Sequence, residues 1–165
     1  MLSAPEPLAG HHQIGAFDSG VQSLDEWLKR RAAQNQASGA SRTFVTCEGI
    51  EVVGYYALAS SAVAAVAVPG RFRRNMPDPI PVVVLGRLAV ARSQQGRGLG
   101  QVLFQDAGRR VIHAADAVGI RGLLVHAVSM EAKAFYLRLG LDESPLEPMT
   151  LMVTIADLRA ALARE

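Results

Sequence analysis

Apolar positions along this chain switch between helical and strand periodicity, and the switches predict the order of the elements. In the first third, apolar residues recur at helical spacing over 23–37, which predicts a helix. Ser23 and Glu26 stand three residues apart at its start, the spacing of a capping box with Ser23 as N-cap. Leu24, Trp27, Leu28 and Arg31 are predicted to lie along one face of this helix.

Runs of β-branched and aromatic residues follow, and they predict strands. Segments 42–49 and 51–66 read as a hairpin that turns at Gly49 and Ile50. Segment 69–81 contains four prolines and is predicted to be a loop. Segment 82–90 is almost unbroken in apolar residues, which is typical of a central strand buried on both faces.

The second half of the chain predicts a crossover between parallel strands. A helix over 99–118 follows the central strand, and a second buried strand over 121–128 follows the helix. The buried stripe of that helix is predicted to contain Leu99, Leu103, Ala107, Val111, Ala114 and Val118. The chain then predicts a helix over 130–140, a strand over 150–155 and a helix over 156–165. The fold class is therefore α/β, or α+β with a mixed sheet.

Three glycines stand at the mouth of the long predicted helix. Gly lowers helix stability by about 1 kcal/mol relative to Ala, so the presence of Gly96, Gly98 and Gly100 at this position needs an explanation. The first turn of a helix leaves N–H groups unpaired and favours an anion, and glycine lets a phosphate approach the backbone. The pattern is neither a dinucleotide fingerprint, because Gln101 replaces the third glycine, nor a P-loop. Taken alone, it leaves open an anion-binding loop and a flexible turn.

Charge is distributed unevenly along the 165 residues. Half of the residues are apolar and 19% are charged, which is typical of one globular domain, here 1–165. The formal charge of +2 conceals a middle third, residues 71–121, with nine arginines and three acidic residues. Arginine suits phosphate oxygens, so this third predicts either a phosphate-bearing partner or a solvated basic face.

Several classes of protein are disfavoured. The N-terminus lacks the basic and apolar regions of a secretory signal, and the longest apolar stretch, 57–69, is too short to span a bilayer. The single cysteine, Cys47, forms no internal disulfide and is expected in a strand interior. We therefore expect a cytoplasmic protein without a membrane partner. His11 and His12 lack partners at metal-ligand spacing, so no metal is expected.

The segment 85-LGRLAVARSQQGRGLGQVLFQDA-107 resembles the acetyl-CoA-binding core of the GNAT acetyltransferases. The resemblance implies a GNAT fold, a twisted mixed sheet flanked by helices, with acetyl-CoA in a split between two parallel strands. It also implies that the backbone of Leu88, Ala89 and Val90 meets pantetheine. The pyrophosphate would then be held by Gln95, Gly96, Arg97, Gly98, Leu99 and Gly100.

A second motif of the same family matches 129-SMEAKAFYLRLGL-141 at Ala132, Tyr136 and Gly140. Ser129 stands where Asn is usual and Leu141 where Phe is usual. The resemblance implies that Ser129 offers a hydrogen bond to pantetheine and that Tyr136 protonates the departing thiolate.

Segments 17–34, 43–45, 52–60 and 145–153 resemble the GNAT toxins of type II toxin–antitoxin modules, with Ser19 where Cys is common. That resemblance implies acetylation of the α-amine of aminoacyl-tRNA, a block of translation, a ribbon-helix-helix antitoxin and a homodimer. It does not specify the aminoacyl-tRNA, the tRNA-binding surface or the antitoxin. The candidate contacts to tRNA phosphate are basic residues in the first helix and the proline-rich loop, namely Lys29, Arg30, Arg31, Arg71, Arg73 and Arg74.

The chemistry agrees with an α-amine acceptor. Roughly a quarter of an α-amine is neutral at cytosolic pH, against about 0.1% of a lysine amine, so an α-amine tolerates the lack of a dedicated carboxylate base. Two alternatives stay open: a GNAT enzyme acting on a protein N-terminus or small amine, and a GNAT-shaped binding module without turnover. His126 is expected to be a hydrogen-bonded core residue, and one of Tyr55 and Tyr56 is a candidate for stacking on a nucleotide.

Overall fold

A computed structural model describes residues 1–163 and contains seven strands and six helices. The strands are β1 (Glu6–Pro7), β2 (Arg42–Glu48), β3 (Glu51–Val63), β4 (Ile80–Val90), β5 (Gly122–His126), β6 (Asp142–Glu143) and β7 (Thr150–Thr154). The helices are α1 (Gln22–Arg30), α2 (Ala32–Ser38), α3 (Gly70–Arg73), α4 (Leu99–Ala115), α5 (Met130–Arg138) and α6 (Ile155–Leu162).

The strands form one mixed sheet in the order β1-β2-β3-β4-β5-β7-β6. β4 and β5 are parallel and paired from Val82–Gly122 to Leu85–Val125, while β2–β3 and β5–β7 are antiparallel. The crossover through α4 confirms the predicted βαβ unit. By its contacts, the chain divides into a unit of residues 1–59 and 86–107 and a unit of the remaining residues.

In the first unit, the predicted helix over 23–37 is two helices. Arg31 leaves helical geometry (φ −123°, ψ −32°) and separates α1 from α2. The predicted cap is also wrong, because α1 begins at Gln22 and its N-cap position, Val21, makes no side-chain capping bond. Leu24 and Leu28 are buried as predicted, whereas Arg31 is exposed.

The β2–β3 hairpin is confirmed, with Glu48 opposite Glu51 and Gly49 in the left-handed region at φ +67°. Tyr55 and Tyr56 are both fully buried, so neither offers a face to a nucleotide. The Tyr55 hydroxyl donates to the Leu24 carbonyl at 2.6 Å, and the Tyr56 hydroxyl donates to the Asp106 carboxylate. Two successive strand residues are buried because their side chains point to opposite faces of β3, Tyr55 towards α1 and Tyr56 towards α4.

In the second unit, the predicted loop over 69–81 contains α3, whose Phe72 is 2% exposed. Phe72 joins Val68, Ile80, Leu124 and Met152 in a hydrophobic cluster. The proline-rich segment thus supplies core residues as well as a connection.

The helical stripe of α4 ends earlier than predicted. Leu103, Ala107 and Val111 are buried, but α4 ends at Ala115 and Val118 is 58% exposed. The final helix, α6, is capped by Thr154, whose hydroxyl accepts from the Asp157 amide at 3.0 Å. Residues 164–165 of the predicted terminal helix lie outside the described part. Among residues 1–163, no helix has the length and apolarity needed to cross a bilayer.

Gly122 is predicted to tolerate no side chain. A Cβ there would lie 2.4 Å from the Phe72 ring and 2.8 Å from the Val153 carbonyl oxygen. We expect Gly122→Ala to lower the free energy of unfolding by about 1–3 kcal/mol, measured by urea denaturation. The control is Gly119→Ala, where a Cβ meets nothing within 4 Å. Equal stability of the two variants would contradict the packing seen at Gly122.

Candidate active site

The segment after β4 builds a loop that exposes backbone. Ala91 ends the strand register by donating to the Val53 carbonyl at 2.8 Å, and a short 3-10 turn covers residues 92–94. The glycine loop (residues 95–100) then leads into α4. The first hydrogen bond of α4 runs from the Val102 amide to the Gly98 carbonyl at 3.2 Å. The amides of residues 99–101 lie before this bond, in the first turn of the helix.

Two of the three loop glycines adopt a backbone conformation that favours glycine. Gly96 and Gly98 adopt φ +78° and +83°, the left-handed region that glycine enters at little cost. A Cβ at either position would meet nothing within 4 Å, so the space beside the backbone is open. The loop therefore presents bare amides next to the positive end of a helix, an arrangement that suits an anion.

Gln95 has a role that the sequence did not reveal. Its Nε2 donates to the carbonyl oxygens of Ser19 at 2.8 Å and Val90 at 2.9 Å. Both of its amide protons are therefore directed at the protein, and its side chain holds the loop instead of offering donors to phosphate. Arg97 is exposed, so it is the side chain of the loop that can provide charge to an anion.

The end of β4 offers its backbone. Ala89 is buried, and Leu88 and Val90 pack against the hydrophobic core of the first unit. Side chains of this segment therefore serve packing, in agreement with the expectation that a pantetheine contact here uses main-chain groups.

The second motif lies on α5 in the other unit. Ser129 is the N-cap, and its hydroxyl oxygen accepts from the Ala132 amide at 3.1 Å. The hydroxyl proton is not committed by this bond, so Ser129 can cap the helix and still donate to a ligand.

Tyr136 is 6% exposed and packs edge-to-face with Phe135, with ring centroids 5.2 Å apart. Burial raises the pKa of the Tyr136 hydroxyl well above its usual range. The phenol therefore stays protonated across neutral pH, as a proton donor must. Full transfer of this proton to a thiolate is uphill, because a thiol's ordinary pKa near 8.5 lies below that of the buried phenol. The hydroxyl can still donate a hydrogen bond to the sulfur as negative charge develops there.

The candidate tRNA contacts differ in their surroundings. In the first unit, Lys29, Arg30 and Arg31 are exposed at the end of α1. In the second, Arg71 donates to the Asp157 carboxylate and lies 3.8 Å from the Asp142 carboxylate. Arg73 and Arg74 are exposed, which leaves them as the stronger candidates in this segment.

Two histidines depart from expectation. His12 has a carboxylate partner, since its Nε2 lies 2.7 Å from Glu6 Oε1, and His11 is close enough to complete a three-residue cluster. However, His12 Nδ1 accepts from the Ala9 amide at 2.9 Å, which places the ring proton on Nε2. That tautomer favours a hydrogen-bonded pair over metal ligation.

His126 is exposed rather than buried, although it contacts the Thr150 hydroxyl at 3.0 Å. Cys47 is buried as expected.

Comparison with known proteins addresses the family directly. The acetyltransferase (GNAT) domain family matches residues 39–140. A tRNA-acetylating toxin of Mycobacterium tuberculosis is 50% identical over 160 residues, covering 97% of this chain and 96% of the relative. The chain belongs to the GNAT acetyltransferase family. Membership confirms the expected fold and an enzyme that uses acetyl-CoA.

Solved GNAT structures show the same architecture. A crystal structure of a tyrosine-to-phenylalanine mutant of KacT matches with a TM-score of 0.90 and 30% identity, covering 96% of this chain and 98% of that one. AtaT complexed with acetyl-methionyl-tRNAfMet also matches with a TM-score of 0.90 and 30% identity, covering 97% and 98%. The resemblance to toxins is therefore confirmed at the level of the whole chain.

The backbone conformation of Gly98 provides a test of the cofactor loop. Gly98→Val forces a β-branched residue into φ +83° and fills the open space, so we expect at least a tenfold loss of acetyl-CoA affinity by calorimetry. The control is Gly15→Ala in the same unit, where a Cβ also meets nothing within 4 Å and φ is not left-handed. Unchanged affinity in a folded Gly98→Val protein would remove the pyrophosphate from this loop.

Proposed function

We propose that this GNAT enzyme transfers acetyl from acetyl-CoA to the α-amine of aminoacyl-tRNA and so inhibits translation, as the toxin of a type II toxin–antitoxin pair. The observation that carries the proposal is the 50% identity, along 97% of the chain, to a protein named as a tRNA-acetylating toxin. The likeness to AtaT in complex with an acetylated tRNA supports the same acceptor. The enzyme acts as a single domain, because β3, β4 and α4 each begin in one compact unit and end in the other.

Each part of the chain then has one task. The backbone of Leu88, Ala89 and Val90 pairs with the pantetheine arm, since these residues lie beyond Leu85, the last β4 residue in register with β5. The amides of the glycine loop and the exposed Arg97 hold the pyrophosphate, and Ser129 donates to pantetheine. Acetyl-CoA supplies the acetyl group as a thioester.

Tyr136 is the proton donor in this proposal. The neutral α-amine attacks the thioester carbonyl, the C–S bond breaks, and the thiolate takes the Tyr136 proton while the amine loses one to solvent. The tyrosinate, a strong base, then regains a proton from solvent, so no net proton is lost from Tyr136. Because burial holds the tyrosine pKa above its usual range, Tyr136 does not titrate near neutrality. The titrating group is then the acceptor amine, so activity rises with pH until that amine is neutral, near pH 8.

Partners follow from the relatives. Solved structures include AtaT bound to the C-terminus of the antitoxin AtaR and a KacTA–DNA complex, and we propose a ribbon-helix-helix antitoxin for this chain. A cytoplasmic location is part of the same proposal, since tRNA and ribosomes are cytoplasmic, and so is the homodimer that the resemblance to the toxins implies. The exposed cations Lys29–Arg31, Arg73 and Arg74 are the proposed phosphate contacts, with Arg71 assisting from its ion pairs.

The function is tested by incubating the enzyme with labelled acetyl-CoA and total charged tRNA. We expect label on the amino acid of one or a few tRNAs, and Tyr136→Phe should lower the rate by about 10²–10⁴-fold. The acetyl-CoA affinity and the melting temperature should stay near those of the parent, because the ring and its contact with Phe135 remain.

Two outcomes would count against these assignments. A full rate for Tyr136→Phe would exclude the assigned acid. Label on protein N-termini or small amines, with none on charged tRNA, would replace the acceptor while leaving the enzyme class unchanged.

Arg73, the last residue of α3, and Arg74, which follows it, give a separate prediction about tRNA. Each phosphate contact contributes about 0.7 to the log–log salt slope on single-stranded RNA, so Arg73→Ala with Arg74→Ala should flatten the slope by about 1.4. Arg159→Ala controls for the loss of an arginine elsewhere on the surface, because that side chain is engaged with Asp116 at 2.7 Å, and its slope should match the parent's. A slope that matches the parent would move the tRNA path to the Lys29–Arg31 helix end.

A further inference from the structure

A short turn before α1, residues 18–21, is attached to the glycine loop by hydrogen bonds of Gln95 and Arg92. Gln95 Nε2 donates to the Ser19 carbonyl at 2.8 Å. Earlier in both segments, the Arg92 amide donates to the Asp18 carbonyl at 2.8 Å, and Arg92 Nε donates to the Asp18 carboxylate at 3.1 Å. All of these residues belong to the first compact unit.

Asp25, from the first turn of α1, fixes the other side of Ser19. Its carboxylate oxygens accept from the Ser19 amide at 3.0 and 3.2 Å, and Oδ1 accepts from the Ser19 hydroxyl at 2.6 Å. Ser19 Oγ in turn accepts from the Val21 amide at 3.2 Å. Ser19 is only 8% exposed, so these bonds are protected from competing water.

The turn has a second constraint at Gly20. This residue adopts φ +88°, and a Cβ there would lie 3.3 Å from the Arg92 guanidinium carbon. The Asp18 carboxylate also accepts from the Gly20 amide at 3.0 Å. The hydrogen bond from Arg92, followed by that from Gly20, lowers the pKa of Asp18, so both contacts favour the ionised carboxylate.

We propose that Asp25, Ser19 and Gln95 form a brace that holds the glycine loop in the conformation that binds the acetyl-CoA pyrophosphate. The bonds run in series: Asp25 orients Ser19, Ser19 presents its carbonyl to Gln95, and Gln95 holds the start of the loop against the end of β4. A loop with two left-handed glycines has little conformational preference of its own, so its amides need an external support to be preorganised.

The three side chains act by positioning, since their polar atoms bond to the protein and not to acetyl-CoA. Because Asp25 lies on α1, the brace also makes the start of α1 and the cofactor loop depend on one another. The inference rests on the proposed placement of the pyrophosphate at residues 95–100.

The distinguishing experiment varies the acetyl donor. Acetyl-CoA contains the pyrophosphate, whereas S-acetyl-pantetheine has the same thioester and arm without it. We expect Gln95→Leu to weaken acetyl-CoA binding about tenfold by calorimetry and to raise its KM similarly, with kcat within twofold of the parent. With S-acetyl-pantetheine as donor, kcat/KM should be unchanged.

The chain offers a matched control in the next residue. Gln94→Leu removes a side-chain amide that donates to Glu48 at 3.3 Å and has no part in the brace, so its acetyl-CoA affinity should stay within twofold. Ser19→Ala removes the hydroxyl between Asp25 and the turn, and should act in the same direction as Gln95→Leu. The double variant should lose less than the product of the two single effects, because both act through one series of bonds.

The outcomes distinguish the brace from the placement of the pyrophosphate on which it rests. If Gln95→Leu keeps the parent's acetyl-CoA affinity while Gly98→Val loses it, the brace is wrong and the placement of the pyrophosphate stands. If both variants keep it, the placement itself fails. An equal loss with S-acetyl-pantetheine would also overturn the brace, since it would indicate a general disturbance of the site. Gln95 is an exposed residue, so folding of Gln95→Leu is expected, and the melting temperature checks it.

Discussion

The parallel pairing of β4 with β5 is the constraint on which the rest of the molecule depends. Parallel neighbours cannot be joined by a tight turn, so the chain must cross over and return to the same edge of the sheet. The crossover here is α4 and the segments at its two ends, residues 91–121. A helix that starts directly after a strand brings its unpaired first-turn amides to the end of that strand. The anion-binding loop is therefore a consequence of sheet topology, and the glycines adapt that junction to close approach by a ligand.

Periodicity was informative wherever burial alone decides the structure. The order of the elements, the β2–β3 hairpin and the crossover were all predictable, because apolar spacing reports directly on which side of an element is covered. The boundaries were less predictable. The stripe of α4 included Val118 by spacing, yet the helix ends at Ala115 and that valine is exposed. The break at Arg31 is likewise invisible in a run of good helix formers.

The sequence motifs predict which residues form the candidate site, but they do not predict its long-range hydrogen bonds. Glycines at 96 and 98 signal a backbone requirement whatever the tertiary context. The side chain of Gln95, by contrast, reaches the carbonyl of Ser19, 76 residues away in sequence. No local pattern encodes that contact, and a motif match assigns Gln95 to the ligand when its amide protons are directed at the protein. The signal that sequence reasoning could have used is the six-residue spacing of Ser19 and Asp25, which lets a first-turn carboxylate bind the turn that precedes its own helix.

Formal charge overstated the basic surface for a related reason. The middle third contains nine arginines, but an arginine that is held by carboxylates contributes less to attracting a distant anion than its formal charge suggests. Arg71 and Arg92 are both in such ion pairs, and their partners, Asp157 and Asp18, lie outside that third of the sequence. Folding thus places the carboxylates of Asp18 and Asp157 beside arginines of the middle third. What is left for a phosphate partner is concentrated in fewer exposed residues, Arg73, Arg74 and Arg97 among them. Under the proposed function, the affinity for tRNA therefore depends on the placement of these few exposed cations more than on the net charge of +2.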